Sequence, residues 1–107
     1  MKNLEMIQKL SVLQCIYQVI VSSDGSIVGS RDDAAIDYAM KELSLTSNFA
    51  WNSAIVFSPF EAFKHVSIMD YSAKIKFKFI LLNIAEMGGN RSNRRDIAKQ
   101  IFQRTNC

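Results

Sequence analysis

Apolar residues recur at three- and four-residue steps over most of this chain, the spacing of a helix with one buried face. The first stripe predicts a helix over about 3–22, with Ser11 and Gln14 on its polar side. Asp24-Gly25 ends this helix, because glycine accepts the left-handed conformation that terminates helices. The stripe consists of Leu4, Ile7, Leu10, Leu13, Ile16, Tyr17 and Ile20.

A β-hairpin over 19–28 is the alternative at this point. Val19 to Val21 and Ile27-Val28 flank Asp24-Gly25, and Asp-Gly between apolar residues is typical of a hairpin turn. The strands would be very short, and an isolated hairpin is marginally stable in water. The helical stripe also continues without a break to Ile20, so we favour a helix end.

Capping signals predict three helices in the middle of the chain. The second helix begins near Ser30 and ends at 43–45, and a short third helix begins at 46–47. Ser58-Pro59-Phe60-Glu61 combines a capping serine, a proline at the first helical position and a glutamate in the first turn. It predicts a further helix over about 59–66.

The longest apolar segment predicts a central helix over about 68–87. Lys74 to Phe79 alternates between polar and apolar residues like a strand, but 80–87 does not alternate. The unbroken length suits a buried helix. Gly88-Gly89 ends it, and Ser92 or Asn93 caps the last helix.

The chain contains a weak internal repeat. Placing Asp24-Gly25 over Gly88-Gly89 superposes two apolar helices and the helices after them. The matching pairs are Leu13/Phe77, Ile16/Ile80, Tyr17/Leu81, Ile20/Ile84, Val21/Ala85, Asp33/Asp96, Ala35/Ala98 and Tyr38/Ile101. Two helical hairpins that face each other across a pseudo-twofold axis would bury these stripes together. With 107 residues and a single proline, we predict one all-α domain, residues 1–107, a compact bundle of five to six helices.

The repeated unit resembles the tellurite-resistance TerB family and its TerB-like relatives. Their signature is an apolar helix, Asp-Gly followed by a β-branched residue, and an acidic residue that opens the next helix. Leu13 to Ile27 with Asp32-Asp33 matches it well, whereas Ile80 to Arg91 with Arg95-Asp96 matches it poorly. The resemblance covers about residues 5–104. It implies an all-α fold and a role in stress responses, including tellurite resistance.

The resemblance also implies a divalent-metal site, formed here by Asp24, Asp32 and Asp33. In the second unit, Gly88 replaces the loop aspartate and Arg95 stands where an acidic residue is expected. Calcium needs six or more oxygen ligands, several of them carboxylates. We therefore expect the metal site to be largely lost and no cofactor to be bound. Helix capping and a solvated face explain the acidic cluster of Asp24, Asp32, Asp33 and Asp37 without a metal.

Charge is distributed unevenly along the chain. Residues 1–63 contain four basic and seven acidic side chains, whereas 64–107 contain nine basic and three acidic ones. Basic residues at the start of the last helix can bind carboxylates or phosphates. We predict a partner-binding surface for an acidic protein, with nucleic acid as the alternative, formed by Arg91, Arg94, Arg95 and Lys99.

No catalytic constellation stands out. His65 is the only histidine, and Cys15 lies within an apolar stripe without a nearby cation to activate it. The apolar stretch from Leu10 to Val21 is too short to cross a bilayer, so we expect no membrane insertion and a cytoplasmic location. The predicted function is a non-enzymatic, stress-associated protein-interaction module. The alternative is a nucleic-acid-binding domain that uses the last helix.

Overall fold

The computed structural model describes residues 4–24, 33–46, 48–87 and 91–107. These residues form helices joined by short turns, and no strand occurs among them. The prediction of an all-α bundle of five to six helices is thereby confirmed. The helices are α1 (Met6–Asp24), α2 (Asp33–Glu42), α3 (Asn48–Ile55), α4 (Pro59–Ser67), α5 (Tyr71–Ala85) and α6 (Arg91–Arg104).

Two local ambiguities of the sequence are resolved in favour of helices. Helix α1 continues to Asp24, so Val19 to Val21 are helical and the hairpin alternative is wrong there. The second half of the alternative hairpin, 25–28, lies outside the described residues. The alternating stretch from Lys74 to Phe79 lies within α5. In both places the continuous apolar periodicity outweighs a short local strand pattern.

The capping residues set the boundaries of α4 and α5. Ser58 Oγ accepts a hydrogen bond from the backbone N–H of Glu61 at 3.4 Å, as predicted. Helix α5, however, begins three residues later than expected. Asp70 caps it, with its Oδ1 accepting from the N–H of Ala73 at 2.8 Å, whereas Ser67 bonds back to the Lys64 carbonyl within α4. A carboxylate at this position also suits the positive end of the helix dipole.

Helix α1 lies at the centre of the bundle. It packs against α3, α4 and α6 and also contacts α2 and α5. Residues 11–16 are all buried, including Ser11 and Gln14, which the sequence placed on a polar side. A helix surrounded in this way has no solvated face, so its polar side chains need partners inside the protein.

Gln14 is one of these buried polar side chains, and its partners lie on other parts of the chain. Its Nε2 donates to the carbonyl oxygens of Ala54 and Phe57, both at 2.6 Å, and its Oε1 accepts from Gln18 Nε2 at 2.8 Å. The two carbonyls lie at the end of α3 and in the turn after it. One buried side chain therefore ties α1 to the C-terminal end of α3.

The predicted repeat is visible in the pattern of burial. Four of the predicted pairs are buried in both units: Leu13/Phe77, Ile16/Ile80, Ile20/Ile84 and Ala35/Ala98. In the other three apolar pairs, Tyr17, Val21 and Tyr38 are only partly buried, whereas their partners Leu81, Ala85 and Ile101 are buried. Helix α1 packs against α6, and α5 packs against α2. The units differ in helix length, because α1 extends to Asp24 whereas α5 ends at Ala85, the equivalent of Val21.

We predict that Gln14→Met destabilises the protein by about 2 kcal/mol, because the Ala54 and Phe57 carbonyls lose their donor in a buried position. Methionine has a similar volume and leaves the apolar contacts largely intact. Urea denaturation measures the free energy of unfolding. The control is Gln103→Met on the exposed face of α6, which should change it by less than about 0.5 kcal/mol. Equal stability of the two variants would contradict the structural role of Gln14.

Candidate functional site

The structure does not test whether the three predicted metal ligands lie close together. The side chains of Asp24, Asp32 and Asp33 lie outside the described residues, so this site stays a prediction from the sequence. Within the part of the chain that is described, no group of three or more His, Cys, Asp or Glu side chains is placed to hold a metal ion. His65 is half-buried, with its ring centroid 6.2 Å from that of Phe57.

Arg94, one of the predicted binding residues, is placed in the interior. Its side chain is 2% exposed, and its Nη1 donates to the carbonyl oxygens of Ile84 at 3.2 Å and Met87 at 2.8 Å. These carbonyls belong to the last turn of α5 and the turn after it, and the Ile84 carbonyl also accepts from the backbone N–H of Met87 at 3.0 Å. Arg94 thus caps α5 and joins it to α6, and it does not face a partner.

The other predicted binding residues differ in their environment. Arg95 is exposed, and its Nε donates to Glu86 Oε1 at 2.7 Å. Lys99 is exposed on α6, and the side chain of Arg91 lies outside the described residues. Arg104 lies over the ring of Phe63, with its Cζ 5.7 Å from the ring centroid. Of the four predicted residues, Arg94 is thus buried, Arg95 is paired with a carboxylate, and Lys99 is exposed one helical turn after Arg95.

Cys15 is buried in the core and has no role in an exposed site. Burial raises the pKa of its thiol well above the ordinary value of 9.0, and Cys107 adds to this effect. The reactive form of cysteine is the thiolate, which burial in apolar surroundings disfavours. The sequence-based interpretation of Cys15 as a core residue agrees with this environment.

The outward face of α5 carries a row of exposed apolar side chains. Tyr71, Ile75, Phe79 and Leu82 recur at steps of four, four and three residues and are between 45% and 79% exposed. We call these four residues the α5 stripe. The opposite face of the same helix is fully buried, and its residues are Ala73, Phe77, Ile80, Leu81 and Ile84. Helix α5 thus has two opposite apolar faces. One of them is buried within this chain, and the other is exposed to solvent.

Both edges of α5 are attached to neighbouring helices. On one edge, Lys76 Nζ pairs with Glu42 of α2 at 2.8 Å, and Asn83 donates to the Tyr38 hydroxyl at 2.7 Å. On the other edge, Lys78 Nζ lies 5.6 Å from the centroid of the Phe102 ring on α6. Along the same edge, Lys74 Nζ donates to the carbonyl that follows α6, Asn106 O, at 3.3 Å. The α5 stripe therefore lies between α2 and α6 and is bordered by lysines.

Other exposed apolar side chains do not form such a regular row. Phe49, Val56 and Phe60 are each more than 70% exposed, but they lie on α3, in the following turn and on α4. Between α1 and α3 there is also a shallow groove of about 310 Å³. It is lined by apolar and hydroxyl side chains, including Met6, Leu10, Leu45, Phe49 and Ser53. None of the described residues that line the groove is charged.

The sequence contained a signal for the α5 stripe. Apolar residues on two faces of one helix leave little polar surface, and such a helix is normally buried on all sides. The unbroken apolar length of this segment accordingly predicted a buried central helix. The structure gives the central position to α1 and places α5 at the surface, with its second apolar face uncovered.

The chain was compared with models of known protein families, with curated proteins and with solved structures, and none of them matches it. The resemblance to the TerB family therefore rests on the residues quoted for it. Among the described residues, no helix combines the length and apolar character that crossing a membrane requires.

We predict that Arg94→Ala destabilises the fold by about 2–4 kcal/mol, because it leaves the Ile84 and Met87 carbonyls without their charged donor. Arg95→Ala is the matched control. It removes an exposed ion pair and should cost less than about 1 kcal/mol. Urea denaturation of both variants measures the difference. Similar losses for the two would contradict the assignment of Arg94 as a buried helix cap.

The buried thiol predicts a dependence of stability on pH. In the unfolded chain Cys15 ionises above its ordinary pKa of 9.0, whereas in the folded chain it stays protonated. The unfolded state then binds fewer protons, so the free energy of unfolding falls as the pH rises above about 9. Between pH 8 and pH 10, the native chain should lose about 1 kcal/mol more than Cys15→Ala, measured by urea denaturation under reducing conditions. Identical losses would contradict this prediction.

Proposed function

We propose that this protein is a non-enzymatic helical interaction module that binds a protein partner through the α5 stripe. The observation that carries the proposal is the row of four exposed apolar side chains along one helix, Tyr71, Ile75, Phe79 and Leu82. Single exposed apolar residues are common on protein surfaces, but contiguous rows mark interaction sites. The proposal keeps the predicted class of function and moves its site from the start of α6 to α5.

The size of the stripe supports this proposal. Taking roughly 200 Å² for a fully exposed large side chain, the four residues present on the order of 500 Å² of surface. A standard-size interface buries about 800 Å² on each partner. The half-buried stems of the neighbouring lysines, 74, 76 and 78, would contribute much of the remainder.

The interior supports a module without catalysis. Four polar side chains are buried among the described residues, and each donates a hydrogen bond to a backbone carbonyl of its own chain. Ser11 bonds to Ile7 and Thr105 bonds to Ile101, as Gln14 and Arg94 bond to the ends of α3 and α5. These contacts stabilise helices and do not converge on a space for a substrate.

The finer assignments of function remain proposals from the sequence. A stress-associated, TerB-like role is proposed from the sequence repeat and its Asp24-Gly25 pair alone. We do not propose the nucleic-acid alternative, because Arg94 is buried and Arg95 pairs with Glu86. Retained binding of a divalent cation would need Asp24, Asp32 and Asp33, and nothing beyond the sequence supports it.

The proposal predicts that a photo-crosslinking amino acid at position 79 captures a specific partner protein in the cells that produce this chain. Phe79 lies in the middle of the α5 stripe, so a bound partner would contact it directly. The control is the same amino acid at position 60, because Phe60 is also an exposed phenylalanine on a helix but lies off the stripe. Adducts are detected by gel shift and mass spectrometry.

The expected result is one dominant adduct at position 79 that is absent at position 60. Adding Ile75→Asp to the position-79 chain should abolish the adduct, since a buried carboxylate without a partner is costly in an apolar interface. Equal adducts at both positions, or none at position 79, would refute the α5 stripe as the interaction surface.

A further inference from the structure

The internal repeat allows the burial of the α5 stripe to be compared with that of the equivalent positions in α1. In the repeat register, Ile75 and Phe79 of α5 are equivalent to Ser11 and Cys15 of α1. Ser11 and Cys15 are fully buried, and the helices that pack most extensively on α1 are α3, α4 and α6. The equivalent face of α5 is exposed. The positions of Ile75 and Phe79 are therefore covered in one unit and uncovered in the other, whereas Ile7, the equivalent of Tyr71, is itself 41% exposed.

The charges along the stripe indicate the chemistry of a partner. Lys74 and Lys78 lie one helical turn apart on the edge that faces α6. Within the described ranges, neither has a carboxylate within ion-pair distance, whereas Lys76 on the other edge is paired with Glu42. The edge toward α6 thus presents, beside apolar side chains, two lysines that form no ion pair among the described residues. Opposite charges in a partner would be favourable there.

A second copy of this chain does not fit this charge pattern. If two copies packed their α5 helices antiparallel about a twofold axis, the edge with Lys74 and Lys78 would meet the same edge of the other copy. If they packed in parallel, that edge would meet the Lys76–Glu42 ion pair. The antiparallel arrangement sets lysines against lysines, and like charges across an interface are unfavourable. The parallel arrangement offers Lys74 and Lys78 only a carboxylate that is already paired.

We propose that the α5 stripe binds an amphipathic helix of another protein, whose apolar residues are flanked by acidic residues that pair with Lys74 and Lys78. This inference rests on the proposed function and specifies its partner. The stripe spans about 16 Å, which corresponds to three helical turns. Carboxylates one turn apart on a partner helix match the two lysines in spacing.

The position of the two ammonium groups favours a helix over an anionic membrane. Lys74 is held by the carbonyl of Asn106 and Lys78 by the ring of Phe102, so their charges stand in a defined register with the stripe. A helix with regularly spaced carboxylates benefits from such a register. A fluid lipid surface does not require it, and its binding depends on apolar area and on total charge.

Two stapled 16-residue helical peptides test this inference. Both carry leucines at the spacing of the stripe, and they differ only in flanking glutamates or flanking lysines. Fluorescence anisotropy with the full chain should give binding of the glutamate peptide at least about ten-fold tighter than that of the lysine peptide. Phe79→Ala should weaken binding about ten-fold, whereas Phe60→Ala, the matched control, should leave it unchanged.

The charge contribution is tested separately. Lys74→Gln combined with Lys78→Gln should bring the two peptides to within about three-fold of each other, and Lys64→Gln on α4 is the control. Equal affinity of the native chain for both peptides, or binding of neither, would overturn the inference. So would binding to phosphatidylserine vesicles that requires Phe79, or dimerisation that Phe79→Ala abolishes in light scattering.

The outcomes separate this inference from the proposed function. A crosslinked adduct at position 79 together with equal affinity for both peptides refutes the acidic helix and leaves the α5 stripe as an interaction surface. Absence of both the adduct and peptide binding refutes the two proposals together.

Discussion

Helix α1 can be buried on all sides only because its polar side chains find partners inside the protein, and the rest of the fold depends on this condition. Ser11 bonds to the carbonyl one turn before it, and Gln14 bonds to two carbonyls at the end of α3. The Gln14 amide serves two purposes, since it compensates its own burial and fixes α3 against α1. Because α1 occupies the centre, the equivalent helix of the second unit is left at the surface.

The surface position of α5 follows from its attachments. The guanidinium of Arg94 joins its C-terminal end to α6, and pairs at its two edges join it to α2 and α6. These contacts leave one face of α5 between its neighbours and open to solvent. Part of each large side chain on this face therefore stays exposed to water. The proposed binding role would account for large apolar side chains in such a position.

The sequence predicted the helices better than it predicted the site. Periodicity and capping signals located the helices, and the Ser58 cap and four of the apolar pairs of the repeat were predicted correctly. Arg94 was interpreted as a surface group because a charged residue in a basic cluster is normally solvated. Its burial depends on two carbonyls, of Ile84 and Met87, that lie seven or more residues away, and no local pattern reports them. The acidic residues of the predicted metal site remain untested.

By itself, the sequence determined the fold class, the helices and the residues that form apolar stripes. These properties follow from short-range spacing, because residues three and four apart share a helical face. Only the tertiary structure decided which stripes are covered. Coverage depends on how many helices pack around each stripe, so α1 is enclosed on all sides whereas α5 is enclosed on one. Helix α5, which the sequence predicted to be a core helix, therefore carries the candidate interaction surface on its exposed face.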